Sequence, residues 1–291
     1  MRLLFKFDYV NGWGDTFLSF FDIINCINYV KENHPQIYVT FLINDVYDTK
    51  NLEKVLNFEY FHQICEKFEI LYEDKKIKTI GGIINYKDEN FIRLYSGRND
   101  NPKNDIPGIF DVFSPNKDIT DVIKLNIPFT SFTFNDKDDR VKYFPIFNKD
   151  IIERAKNFIE ENFNEEFDTI YYRSLNPPND ESIEKFKNRL KNLIEKDKKY
   201  FMCSNSAIVK KMIKEAGINV VFFRGLENHS ISHIPLGGTK NKLKEDDVIF
   251  PVTEMVIMGE SSNILYSGEV NMVSLFNWYA INVKKVKLIE L

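Results

Sequence analysis

The stretch Phe5-Lys-Phe-Asp-Tyr-Val-Asn-Gly-Trp-Gly-Asp-Thr16 constrains the fold more than any other part of the chain. It reads as an apolar strand over Arg2 to Phe7, a tight glycine loop, and the mouth of a helix over Thr16 to Lys31. Phe17, Phe20, Ile24, Ile27 and Val30 recur at helical spacing, and Leu18, Phe21 and Ile23 widen the stripe so that both sides of the helix should be covered. Gly12 and Gly14 let the backbone turn sharply and approach a ligand. Asp15 stands where the helix opens. A carboxylate there has two compatible uses: an N-cap, or a general base at the carboxyl edge of a parallel sheet, where open α/β folds place their ligands.

The pattern continues in the same alternation. His34-Pro35-Gln36 ends the helix, and Ile37 to Ile43 is a second strand rich in β-formers, so the first elements make a βαβ unit. Short helices are expected within Asn51 to Lys67, and a strand over Phe68 to Tyr72. Lys75 to Pro107 is irregular and ends in the polar run Asn99 to Asp105, which reads as a surface loop. The charged run Asn135 to Arg140 reads as a solvated connection, and a domain boundary is placed just behind it, giving domains 1–143 and 144–291. In the second half, helices are expected over Asp150–Phe163, Asp180–Glu195, Ala207–Ala216, Thr253–Glu260 and Val270–Ile281. Strands are expected over Asp168–Tyr172, Tyr200–Cys203, Ile218–Phe223 and Asn263–Tyr266. Strands alternating with helices through both halves predict two Rossmann-like α/β domains with parallel sheets facing each other across a cleft.

Bulk properties narrow the function. The chain has 291 residues, and its net charge of -4 gives no electrostatic case for nucleic acid or for a polybasic membrane contact. No run is long and apolar enough to span a bilayer and no signal peptide is visible, so a cytoplasmic protein is expected. Cys26, Cys65 and Cys203 are odd in number and set in apolar context, which reads as reduced core thiols. His229 and His233 lie four apart without a carboxylate or cysteine to complete a metal set. Gly81-Gly82 lacks the Walker lysine, and no nucleophile elbow is present, which disfavours a P-loop enzyme or an α/β hydrolase.

Several residues at the ends of expected strands suit an anion. Arg173 follows the strand Asp168–Tyr172 beside Ser174 and two prolines, where a guanidinium can hold a diphosphate in bidentate fashion or make a surface ion pair. Ser204 and Asn205 close the next strand and open the next helix; they can cap it, or meet the same anion. Ser267-Gly268-Glu269 repeats the arrangement, with small residues and free N–H groups at a helix start. Glu269 would point to a ribose hydroxyl or to solvent, and Glu254, at the start of its own expected helix, competes for the ribose.

With these motifs the chain resembles two-domain glycosyltransferases of the GT-B kind. Asn11-Gly-Trp-Gly-Asp-Thr16, with His34-Pro35 before the second strand, is similar to the opening of the heptosyltransferases, and this resemblance implies that Asp15 is the catalytic base. The second half resembles the fucosyltransferase superfamily of the nodulation and protein O-fucosylating enzymes. Arg173 in Ile170-Tyr-Tyr-Arg-Ser174 matches the arginine that holds the donor diphosphate there. Ser204-Asn205 matches the short polar motif at the next strand tip, and the segment Thr253 to Gly268 matches the acidic helix, strand and serine-rich loop. The histidine usual before the arginine is a tyrosine here, and the acidic residue that normally follows it is missing.

The resemblance implies an inverting, metal-independent transferase without a cofactor. It would move a sugar, with fucose a candidate, from a nucleotide-sugar donor, GDP-sugar favoured, to a hydroxyl of a glycan or glycoconjugate. Gly12, Gly14, Arg173, Ser204, Asn205, Glu254, Ser267, Gly268 and Glu269 would contact the donor, and Asp15 would act on the acceptor. The alternative is a non-catalytic protein of the same fold that binds a glycan or nucleotide.

Overall fold

A computed structural model describes residues 2–8, 13–45, 55–57, 59–72, 90–95, 110–113, 125, 147–173, 179–226, 245–267 and 275–291. The chain divides into two compact units. The described residues up to Leu125 belong to the first and those from Phe147 onward to the second. The boundary expected after residue 143 lies outside the described residues.

The first unit is built on β1 (Arg2–Asp8), β2 (Tyr38–Asp45), β3 (Lys67–Tyr72), β4 (Asn90–Tyr95) and β5 (Phe110–Phe113), in the spatial order β3-β2-β1-β4-β5. The register runs Leu4 opposite Thr40 on one side of β1 and Leu4 opposite Phe91 on the other, both parallel. β5 is antiparallel to β4, so the sheet is parallel except at this edge. Helices α1 (Trp13–Asn33) and α2 (Glu59–Ile64) complete the unit as described. Ile23, Ile24, Ile27 and Val30 of α1 are fully buried, as are Leu3, Leu4 and Phe5 of β1. Adjacent positions Ile23 and Ile24 cannot share one narrow stripe, which is the wide apolar face the sequence shows.

The second unit has five parallel strands: β6 (Asp168–Tyr172), β7 (Tyr200–Ser204), β8 (Val220–Val221), β9 (Asn263–Tyr266) and β10 (Lys287–Glu290), in the order β10-β9-β6-β7-β8. Its helices are α3 (Lys149–Asn162), α4 (Asp180–Lys191), α5 (Ala207–Glu215), α6 (Glu245–Gly259) and α7 (Leu275–Trp278), the last running into a π-helical turn over Tyr279–Val283. Side chains alternate across a strand, and β6 shows it. Ile170 and Tyr172 enter the core made with Phe186 and Leu190 of α4 and Ile213 of α5. Tyr171 turns the other way and stacks on Phe276 at 5.9 Å. Both faces of the sheet are therefore covered, and β6 and β7 are buried along their whole length.

Local chemistry sets the helix ends. The side chains of Asn148, Asn179 and Ser206 accept hydrogen bonds from the N–H groups of Asp150, Ser182 and Val209, capping α3, α4 and α5. α5 ends where the sequence places it: Gly217 has φ 75°, Ile218 N–H donates to Ile213 O, and Gly217 N–H donates to Lys214 O. These are the paired bonds of a Schellman motif.

Four expectations are corrected. α1 begins at Trp13 rather than Thr16, so Asp15 lies inside its first turn and is not the N-cap. α6 begins at Glu245 rather than Thr253 and carries Pro251 within it, so Glu254 is mid-helix. The final helix expected over Val270–Ile281 is not α-helical throughout: of its described part, Leu275–Trp278 is α-helical and Tyr279 onward is a π turn. Asn90–Tyr95 and Lys287–Glu290, which the sequence leaves unassigned, are strands β4 and β10.

Candidate functional site

Both sheets have the same strand order. Taken in chain order within its unit, each runs third, second, first, fourth, fifth strand across the sheet. The order reverses beside the first strand: β2 lies to one side of β1 and β4 to the other, and β7 and β9 flank β6 likewise. Open α/β sheets bind ligands outside the carboxyl ends of the strands at such a reversal. The two residues that follow these central strands are therefore the ones to weigh. After β1 the next described element is α1, with Gly14 and Asp15 in its first turn. After β6 comes Arg173.

Arg173 is half-buried, its Nε is buried, and that atom has no hydrogen-bond partner among the described residues. A buried donor left without an acceptor costs free energy of the order of 1–3 kcal/mol, more when the group is charged. By alternation from Tyr172, the Arg173 side chain leaves β6 on the face opposite α4, toward Cys203 at the end of β7. Its charge acts on that thiol. Burial, followed by the Glu254 carboxylate, pushes Cys203 well above the ordinary range, while Arg224, Lys210 and Arg173 pull it down. Cys203 is fully buried, and the thiols of Cys26 and Cys65 are buried at their own positions.

Around that thiol the structure gathers groups from distant parts of the sequence. Arg224 Nη2 lies 2.5 Å from Glu254 Oε2, with side chains 4% and 1% exposed. Burial raises the Glu254 carboxyl above its usual value even though Arg224 draws it down. The two tendencies oppose each other, and the short contact identifies the guanidinium as what makes a carboxylate tolerable at this depth. Lys210 is 1% exposed and its Nζ donates to Gly225 O at 3.1 Å. Neither Arg224 nor Lys210 is singled out as a site residue by the sequence. A signal for Lys210 exists: it shares a helical face with Ser206, Val209 and Ile213, all buried, so it sits on the inner side of α5. Arg224 has no comparable pattern, since its partner lies 30 positions away.

The remaining expected residues fall as follows. Ser204 ends β7, is fully buried, and its Oγ accepts the Ser206 N–H at 3.1 Å, so its hydroxyl shapes the turn into α5. Asn205 is half-buried beside it, but the residue that caps α5 is Ser206. Ser267 directly follows β9 and its N–H donates to Tyr171 O at 3.3 Å, which ties it to β6 at the reversal point. Glu254 and Arg173 both act on Cys203, but Glu254 does so as half of a buried ion pair, not as an open carboxylate. Gly12, Gly268, Glu269, His229 and His233 lie outside the described residues.

Among the described residues no group of three His, Cys, Asp or Glu side chains could hold a metal ion, and no helix is long and apolar enough to cross a membrane.

No protein-family model and no curated protein matches the sequence. Solved structures do. The chain is similar over 99% of its length to 97% of POFUT1 in complex with GDP-fucose, with 11% identity and a TM-score of 0.44. It is similar over its full length to 95% of NodZ alpha-1,6-fucosyltransferase soaked with GDP-fucose, with 12% identity and a TM-score of 0.49. For the fucosyltransferase NodZ from Bradyrhizobium the identity is 10% and the TM-score 0.46, over 100% of this chain and 96% of that one. Identities this low leave each site residue to be judged from this chain's own geometry.

Proposed function

We propose that the protein is a glycosyltransferase whose carboxy-terminal unit binds a nucleotide-sugar donor. The observation that carries this reading is Arg173, a guanidinium whose buried Nε has no partner among the described residues, at the reversal point of a five-stranded parallel sheet. Such a group can take an anion, and a diphosphate supplies acceptors in the spacing a guanidinium fork requires. The motifs around Arg173, Ser204-Asn205 and Ser267-Gly268 resemble those of fucosyltransferases, which makes GDP-sugars the first donors to test.

In the reaction, an acceptor hydroxyl of a glycan or glycoconjugate attacks the anomeric carbon, the Asp15 carboxylate takes the hydroxyl proton, and the nucleoside diphosphate leaves with its bonding electron pair. One displacement inverts the anomeric centre. Arg173 holds the charge that develops on the leaving diphosphate, a role that a metal ion fills in other transferases, so no metal is required.

The test is a titration with GDP, UDP and ADP, followed by transfer assays with the sugars of the nucleotide that binds. A ligand at 100 times its Kd adds about 2.7 kcal/mol of stability, which a thermal shift reads directly. Arg173→Ala should weaken binding of that nucleotide by about 1.5–3 kcal/mol, the scale of a charged hydrogen bond. A Kd that does not change removes Arg173 from the site and this reading with it. Binding without transfer to any acceptor in the presence of the matching nucleotide sugars leaves a binding protein of the same fold and rejects the transferase.

A further inference from the structure

Tyr172 and Arg173 are consecutive and point to opposite faces of the same sheet edge. On the Tyr172 face, away from Arg173, lies a cavity of about 290 Å³. Its position is fixed by α4, whose residues Ser182, Lys185, Phe186 and Arg189 fall at helical spacing on one face and line one side. Ser267 after β9 and Glu290 of β10 line the other. Tyr172 and Phe186, edge to face at 4.9 Å, form an apolar back wall.

The polar groups of this cavity have capacity to spare. Among the described residues Lys185 and Glu290 have no ion pair, although both line the same space. Arg189 gives Nη1 to Leu291 O at 2.5 Å, which holds the end of β10 and leaves the other guanidinium nitrogens for the cavity. The Ser182 hydroxyl donates to Asn179 O at 2.9 Å and keeps its oxygen as an acceptor. Two cations one helical turn apart ask for an anion; a carboxylate and two hydroxyls around an apolar wall suit a polyhydroxylated ring. The volume is at the low end for ligand pockets, which run from about 300 Å³ upward. That is room for one sugar unit rather than for a nucleotide.

We infer that this cavity is a binding site for an acidic monosaccharide unit, its phosphate or carboxylate held by Lys185 and Arg189 and its hydroxyls by Glu290, Ser182 and Ser267. Ser267 borders both this cavity and the proposed donor region, but Arg173 does not line the cavity and Lys185 is not among the donor residues, so the two sites can be tested apart.

The experiment is calorimetric titration of the full chain with glucose 6-phosphate, glucuronate, glucose and inorganic phosphate, repeated on Lys185→Gln. Lys185 is exposed, so the variant keeps its fold, and an unchanged Tm verifies that. At least one of the two acidic sugars should bind tenfold or more tighter than glucose and than inorganic phosphate, and lose tenfold or more in Lys185→Gln. Which acid binds more tightly distinguishes phosphate from carboxylate. The inference is overturned if neither acidic sugar binds, if glucose or inorganic phosphate binds equally well, or if Lys185→Gln changes nothing. Arg173→Ala should leave this binding within twofold, and Lys185→Gln should leave GDP binding within twofold, so failure of one site is told from failure of the other.

Discussion

Arg224 and Glu254 form a buried ion pair at 2.5 Å although they arise from a loop after β8 and from the middle of α6. A pair at this depth contributes little against an apolar replacement, yet breaking it strands a charge, at about 3–5 kcal/mol. Glu254→Leu should therefore lower unfolding stability by about that amount, measured by urea denaturation, while Glu254→Leu with Arg224→Met should recover most of the loss. A double variant no more stable than the single one would show that Arg224 depends on its other contacts more than on Glu254.

Gly259 ends α6 against a buried ring. A Cβ added there would meet Tyr279 Cε1 at 2.5 Å and Lys284 Cγ at 2.9 Å. Tyr279 cannot step aside easily, being 2% exposed and packed edge to face on Phe147 at 5.8 Å. Alanine gains up to about 1 kcal/mol of helix propensity over glycine, but overpacking costs about 1–3 kcal/mol. The second effect is the larger. Gly259→Ala should lower the Tm, and a raised Tm would mean that the Tyr279 ring is not held where the structure puts it.

Lys198 ties down the amino edge of the second sheet, opposite the candidate site. Its Nζ lies 2.7 Å from Asp168 Oδ2, and Asp168 Oδ1 accepts from both Asn263 N and Asn263 Nδ2, so one carboxylate joins the starts of β6 and β9 to the turn before β7. The hydrogen bond to Asp168 raises the Lys198 amine above its ordinary 10.5, against a smaller loss from burial. A raised amine stabilises the fold fully below that ordinary value, and the contribution disappears as pH climbs through the higher folded value. Lys198→Met should cost roughly 1 kcal/mol near neutral pH, between the values for exposed and for charged buried bonds. The gap from the parent should close as pH climbs through the raised value of the amine; a gap independent of pH would assign the loss to packing of the lysine stem.

The parts of this structure that were legible in the sequence are those whose signal is local. The strand and apolar helix at the start, the buried run before Arg173, and the helix that stops at Gly217 each carry their cause within a few residues. β4 was missed because Arg93 interrupts its apolar run and its pairing partner, β1, is far away in the chain. β10 was missed because it is an edge strand, Lys287 to Glu290, only partly buried and charged at both ends. The start of α6 was misplaced by Pro251, which resembles the first residue of a helix and lies inside one. Glu254 consequently read as an open carboxylate at a helix mouth. Its actual surroundings depend on Arg224, and no spacing rule reports a contact of that range.

Asp15 is the general base of the proposed reaction. It lies in the first turn of α1, the next described element after the central strand of the first sheet. General-base assistance is worth about 10² to 10⁴ in rate. Asp15→Asn keeps the shape and removes the basicity, so kcat for sugar transfer should fall by about that factor while the Kd for the nucleotide stays the same. Loss of both together would instead place Asp15 among the groups that hold the first turn of α1. Turnover equal to that of the parent protein would give the proton to another residue.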